Sequence, residues 1–356
     1  MSVVGKAGTT TDDQTNAAER RAAGEFVRGV STARHWISSA PDATYKPETG
    51  RYHLYVAYNC PWCHRVLLAR SVLGLEDAIT VDVLFPNRST EEDPKGPNLW
   101  KLAPNGAKTM NGRVTTFPEC TADTINGKSY AKEIYEMAGI DDQKSVPILF
   151  DKKTKTCVNN ESSEIMRMMA TDMKGLSSLG DKVPDLYPDE KSKEIDELNE
   201  VIYKSINNGS YKAGFSSNQD VYETAYQNYF ESLDNLDEML ESRQFLTGDQ
   251  VTETDLRLFP TMFRQDPVYY ARCKLNKAFL WEYPNLWRWM GDMMRLNGME
   301  SVSNVGYLKH CKQGYFGRTG NGTIPVGPAG YPECYLEKDW KPSRQEKATE
   351  NGKRKR

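Results

Sequence analysis

Cys60-Pro61-Trp62-Cys63-His64-Arg65 stands between two segments of opposite periodicity. Before it, Arg51-Tyr52-His53-Leu54-Tyr55-Val56-Ala57-Tyr58 reads as a strand. After it, Val66-Leu67-Leu68-Ala69-Arg70-Ser71-Val72-Leu73-Gly74 reads as a helix closed by glycine. Pro61 suits the first helical position, because the N–H that proline lacks has no partner there in any case. Cys60 then falls at the helix cap, facing free backbone N–H groups and the positive end of the helix dipole. Such a position lowers a cysteine pKa below the free value of about 8.5.

A zinc half-site or a buried pair of small residues is the bland alternative. Zinc needs two further ligands at short spacing, and no second Cys-x-x-Cys exists. Cys120, Cys157, Cys273, Cys311 and Cys334 are scattered singly, so no metal site is expected. A redox or nucleophilic pair is favoured, with Cys60 as the working thiol. Cys-x-x-Cys beside a strand–helix unit reads as thioredoxin-like.

The chain has 356 residues, enough for about two domains. Its net charge of −3 favours neither nucleic acid nor an anionic membrane. No apolar run approaches the roughly 18 residues of a membrane span, and the first residues lack the apolar core of a secretion signal. Seven cysteines without framework spacing suit a reducing, cytoplasmic setting.

The expected organisation is a polar, flexible N-terminus over 1–22, then an α/β domain over 23–180 with a long insert at about 86–128. A helical domain follows over 185–316, and an extended tail over 317–356 ends in the basic Lys353-Arg354-Lys355-Arg356. In the first domain, Ile79–Phe85 and Val146–Asp151 read as strands, Ser129–Ala138 as a helix and Thr156–Asn159 as a returning strand. The order gives a mixed sheet. In the second, Ser192–Ile206 and Tyr222–Leu240 carry apolar residues at helical spacing. Thr252-x-x-Asp255 is a capping box between the staple positions Val251 and Leu256. The fold class is α/β plus all-α.

Two further fragments bear on chemistry. Ser145-Val146-Pro147 places proline at the opening of an apolar strand, where it has no N–H for the ladder. Asn160-Glu161-Ser162-Ser163-Glu164 opens a helix directly after a strand. Hydroxyl and N–H groups at a helix start bind a carboxylate, and the Glu161 carboxylate beside them holds an amine; together they suit an α-amino acid.

These fragments, in this order, resemble the glutathione transferase superfamily. Asn59–Arg65, Val146–Lys153, Asn159–Ile165, Ile206–Phe215, Phe245–Gly248 and Asp255–Pro260 resemble its Xi class, the glutathionyl-hydroquinone reductases, relatives of the omega transferases. The likeness covers roughly residues 24–330. It implies an N-terminal thioredoxin-like domain, a C-terminal helical domain and a homodimer. It also implies that Pro147 is cis beside Cys60, and that glutathione is the co-substrate. Trp100 would lie against glutathione, Val146 would pair with its backbone, and Glu161 with Ser162 would hold its γ-glutamyl end. Tyr203, Tyr211 and Tyr315 are candidates for the hydroquinone.

Two positions depart from the family pattern. Cys63 stands where the family has alanine in Cys-Pro-Trp-Ala, and Gln143-Lys144 stands where an arginine often precedes Val-Pro. Lys144 can meet a carboxylate only as a point charge. Cys63 opens a dithiol route as a resolving thiol; the monothiol route is favoured, because a cysteine one turn into a helix is commonly buried and inert. The alternatives in function are an omega-like thioltransferase or dehydroascorbate reductase, and a non-catalytic binding protein on the same fold.

Overall fold

The computed structural model describes residues 17–319, 321–337 and 340. The basic end, 353–356, and residues 1–16 lie outside them. Of the polar N-terminus expected over 1–22, Ala17–Ala22 forms a short helix, α1. The strand before Cys60 is β1 (Tyr52–Val56), and α2 (Pro61–Val72) follows. Then come β2 (Ile79–Val83), a hairpin of β3 (Ala107–Lys108) and β4 (Val114–Thr115), and α3 (Ala131–Met137). The domain ends with β5 (Ile148–Asp151), β6 (Thr156–Asn159) and α4 (Ser162–Ala170).

The main sheet has the order β2-β1-β5-β6, with β1 parallel to β2 and antiparallel to β5. It is mixed, as its sequence order requires. Every residue of β1 is buried, as befits an inner strand covered on both faces. Helix α2 is buried all round apart from Arg70, packing on α4, α8 (Glu253–Arg264) and α10 (Met299–Val302). A helix with no solvent face belongs at a junction; this one joins the two domains and carries Cys60 at its start.

The helical domain comprises α5 (Ser192–Val201), α6 (Gly209–Phe215), α7 (Gln219–Glu241), α8, α9 (Pro284–Met294), α10 and α11 (Val305–Phe316). The expected single helix over 192–206 is broken: Ile202–Asn207 winds as a π-helix. That winding turns the Asn207 amide inward, where Nδ2 donates to the Arg257 carbonyl at 3.1 Å and to Thr261 Oγ1 at 2.8 Å. The Thr252–Asp255 capping box forms, and Asp255 also accepts from Leu246 N and Trp289 Nε1. All of α8 is buried.

Two features tie the domains together. Arg167 of α4 donates to both carboxylate oxygens of the wholly buried Glu253, at 2.7 and 2.6 Å, and Arg257 joins at 2.9 Å. A buried carboxylate is tolerable only when paired and hydrogen-bonded in this way. The second tie is the segment 24–37, which straps one domain to the other. The Gly24 carbonyl accepts from Ser217 N and Phe26 N donates to Ser216 Oγ; farther along, the Ala33 carbonyl accepts from Asn160 N.

The insert, read from sequence as turn-rich connection, contains the β3–β4 hairpin. The tail packs into the main core: Tyr331 and Tyr335 lie on Trp287, and Cys334 is buried with them.

Candidate active site around Cys60

Cys60 caps α2. Its N–H donates to the Ala57 carbonyl at 2.9 Å, and its own carbonyl accepts the first helical bond, from His64 N, at 3.0 Å. The residue is 9% exposed. As a thiol it donates to the Val146 carbonyl at 3.7 Å, and the Val146–Pro147 bond is cis. Burial pushes the Cys60 pKa up. Hydrogen bonds from the Cys63 thiol and from the Cys63 and Trp62 backbone N–H groups, with the charge of Arg28, outweigh it and bring the pKa down to about 6. At neutral pH Cys60 is a thiolate.

Cys63 is wholly buried one turn on, its sulfur accepting from Ala57 N at 3.4 Å. Burial and the adjacent Cys60 hold its pKa well above the ordinary value. It stays protonated and serves Cys60 as an S–H donor.

Glu161 caps α4, accepting from Ser163 N at 3.2 Å, from Ser163 Oγ at 3.0 Å and from Ser31 Oγ at 3.2 Å. Burial opposes its ionisation, but the Arg28 charge and the Ser163 N–H lower its pKa below the usual range. Ser162 beside it is buried. Glu161 and Cys60 thus share the field of one cation, Arg28.

Tyrosines of the helical domain cluster near the sulfur. Tyr211 and Tyr315 share a hydrogen bond of 2.6 Å, and Tyr269 and Tyr315 one of 3.0 Å. Burial and the nearby Cys60 push Tyr211 up to about 12, and burial holds Tyr315 and Tyr269 well above their ordinary value. All three are protonated donors. Tyr203 packs on Trp62 at 5.9 Å between ring centroids.

The profile of the glutathione S-transferase N-terminal domain matches residues 59–172, and that of the C-terminal domain matches 219–292. The glutathionyl-hydroquinone reductase PcpF of Sphingobium chlorophenolicum is 37% identical over 86% of this chain and 90% of its own. The crystal structure of the glutathione-S-transferase Xi from Phanerochaete chrysosporium superposes with a TM-score of 0.75 at 39% identity, over 86% of this chain and 98% of that one. This chain belongs to the Xi class of glutathione transferases. The glutathione-bound structure of YqjG from Escherichia coli K-12 is a further neighbour, at 36% identity and a TM-score of 0.72, over 83% of this chain and 92% of that one.

Not every expected residue of this Xi-class chain joins the site. Cys60, Cys63, Val146, Pro147, Glu161, Ser162, Tyr211 and Tyr315 gather around the start of α2. Lys144 does not: it is exposed and makes no hydrogen bond or ion pair with a described residue. Gln143 turns inward instead, donating to the Val30 carbonyl and accepting from Asn160 Nδ2. His64 points to the domain junction, its Nδ1 accepting from Arg264 at 2.9 Å and its Nε2 facing Ser303 Oγ at 3.2 Å. Burial and the Arg264 charge keep it neutral, so it gives Cys60 no positive charge. Arg65 donates to Asn207 Oδ1 at 3.0 Å and stacks on Trp62.

Residues missed from sequence are Arg28, Arg88 and Tyr269. Arg28 lies over the Trp62 ring at 3.9 Å from its centroid, and Arg88 over Trp100 at 4.9 Å. Trp100 is buried and reaches the site through Arg88, whose charge acts on Cys60. The signal available for Arg28 was an arginine inside the apolar run Phe26-Val27-Arg28; for Tyr269 it was the pair Tyr269-Tyr270 after Pro267-Val268. Arg88 had no comparable mark.

Proposed function

We propose that this chain is a glutathionyl-hydroquinone reductase. Its Cys60 thiolate attacks the sulfur of a glutathionyl-hydroquinone. An S–S bond forms, the aryl C–S bond breaks, and its electron pair goes to the ring carbon, which takes a proton to give the free hydroquinone. Cys60 is left in a mixed disulfide with glutathione. A second glutathione thiolate attacks the glutathione sulfur of that disulfide, releasing glutathione disulfide and regenerating Cys60. One glutathione is oxidised per quinol released, in ping-pong fashion.

The observation that carries this reading is a thiolate at a helix N-terminus, with a pKa of about 6, close to the protonated hydroxyls of Tyr211 and Tyr315. The helix start and its N–H groups favour the anion. In this reading the tyrosines bond quinol oxygens and supply the proton. Glu161, Ser162 and Val146 hold the glutathionyl group, with Trp100 alongside. The monothiol route is favoured, since Cys63 is protonated and buried. Assembly as a homodimer, read by light scattering, belongs to the same proposal, as does a cytoplasmic setting where glutathione is plentiful.

The test is incubation with glutathionyl-hydroquinone and glutathione. Quinol and glutathione disulfide should appear in equal amounts, with a glutathione adduct on Cys60 by mass spectrometry and no turnover by Cys60→Ser. Brisk reduction of mixed disulfides or dehydroascorbate without thioether cleavage would instead establish the omega-like thioltransferase. Unaltered cellular function of Cys60→Ser would point to a binding protein.

A further inference from the structure

Arg28, Arg65, Arg88, Arg264 and Arg318, each from a separate segment, act electrostatically on Cys60, on one of the nearby tyrosines or on one another. None is paired with a carboxylate among the described residues. Arg65 spends its bond on the Asn207 amide oxygen, and Arg318 bonds the Asn98 amide oxygen at 3.0 Å. Arg264 donates to the Pro260 and Tyr58 carbonyls and to neutral His64. Arg28 and Arg88 lie on tryptophan faces and make no hydrogen bond to any described residue.

The charges opposing them are few. Glu161 answers Arg28 and Arg65, and the Cys60 thiolate answers Arg28 and Arg88. A docked glutathionyl group adds two carboxylates but also an ammonium, which takes up Glu161. Arg88 and Arg318 are then left without a carboxylate partner among the described residues.

The Arg88 charge acts on both Cys60 and Tyr211, the proposed nucleophile and a proposed proton donor, and also on Arg28 and Arg318. Arg88 is exposed as a residue, and its N–H donors have no partner among the described residues. A planar guanidinium with free donors takes a carboxylate bidentately. Repulsion from Arg28 and Arg318 is relieved by an anion at that place.

We propose that this site selects glutathionyl adducts whose hydroquinone ring carries a carboxylate, held by Arg88. The inference rests on the glutathionyl-hydroquinone reading above and names the substrate class within it. The competing role for Arg88 is to hold a carboxylate of glutathione itself against Trp100, which would weaken every adduct alike.

The adduct of glutathione with 2,5-dihydroxybenzoate, compared with that of its methyl ester, separates the two. Binding is measured by tryptophan fluorescence on the full-length Cys60→Ser chain, and kcat/KM on the unmodified enzyme. The acid should be preferred by about tenfold, the worth of one charge-assisted hydrogen bond pair in a partly wet cleft. Arg88→Gln should cut that ratio below about threefold, Arg88→Lys should keep part of it, and added salt should shrink it. Equal affinity for acid and ester, or equal losses of both in Arg88→Gln, overturns the proposal. Failure of the enzyme to cleave plain glutathionyl-hydroquinone would sink the underlying reaction alone, because the binding ratio on Cys60→Ser still decides the selectivity.

Discussion

The Cys60 sulfur faces the Val146 carbonyl oxygen at 3.7 Å, a contact that favours the thiol and not the thiolate. A protonated sulfur donates to that oxygen; an ionised one is repelled by it and leans on the Cys63 thiol and the N–H groups of Trp62 and Cys63. Ionisation therefore leaves the Val146 carbonyl without that donor, free for another N–H. The acid limb of activity follows. The thiolate is fully present well above the folded pKa of about 6 and is lost as pH falls through it. Alkylation of Cys60 by iodoacetamide, and kcat/KM for glutathionyl-hydroquinone, should both rise with a midpoint near that value. A midpoint near that of a free thiol would disprove the assignment.

Cys63 sets part of that value by donating S–H to the Cys60 thiolate. Removing a hydrogen bond to a charged group costs about 1.5–3 kcal/mol, so Cys63→Ala should raise the Cys60 midpoint by about one pH unit or more. Cys63→Ser keeps a donor and should move it less. The same variants decide the route. In the monothiol cycle Cys63→Ala still turns over at pH 8, and the glutathione adduct on Cys60 remains resolvable by glutathione. Detection of a Cys60–Cys63 disulfide during turnover, with loss of turnover in Cys63→Ala, would assign Cys63 as the resolving thiol instead.

Tyr315 is the middle hydroxyl of its cluster, bonded to Tyr211 at 2.6 Å and to Tyr269 at 3.0 Å. Tyr315→Phe keeps the ring and removes both bonds. If the cluster delivers the proton to the leaving carbon, kcat should fall by about 100-fold, within the usual range for general acid catalysis, with a smaller change in KM. Tyr203→Phe, on the Trp62 ring, should change KM more than kcat. Equal kinetics for Tyr315→Phe and the unmodified enzyme would remove the cluster from the chemistry.

The parts of this fold and site visible in sequence are those fixed within a few residues. Cys60-Pro61 marks a helix cap because proline and a cap residue are adjacent, and Thr252 with Asp255 closes its box within one turn. Val146-Pro147 and Glu161-Ser162 are legible for the same reason. Arg28 was not, because its role depends on the strap that carries it across both domains to the Trp62 ring. Tyr269 depends on a π-helical segment that continues α8, a winding that apolar spacing does not encode. The break at Ile202 has the same origin: periodicity follows the buried face through the π turn, while Asn207 reports it only through its distant partners Arg257 and Thr261. Lys144 lies exposed, and its neighbour Gln143 carries the inward-facing amide, a choice that adjacent polar residues do not reveal in sequence.

The approach of α11 to Cys60 depends on an absent side chain. A Cβ on Gly314 would fall within 3.0 Å of the Asn59 side chain, and Asn59 is buried next to Cys60 in the chain. Gly314 is also next to Tyr315. The missing methyl thus lets the helix bearing the tyrosine lie directly against the loop bearing the thiol. Gly314→Ala must push the two apart or turn Asn59 out of its place, at a cost typical of overpacking, about 1–3 kcal/mol. The melting temperature should fall by several degrees. Activity should fall further than stability alone explains, since a displacement of about 1 Å between reacting groups costs roughly 100-fold in rate. Gly29→Ala is the control: its Cβ would meet nothing within 4 Å. Measured at a temperature where both variants are folded, Gly29→Ala should match the unmodified enzyme, and Gly314→Ala should lose kcat while keeping its affinity for glutathione alone. Full activity in a folded Gly314→Ala would show that the Cys60–Tyr315 geometry does not rest on this contact.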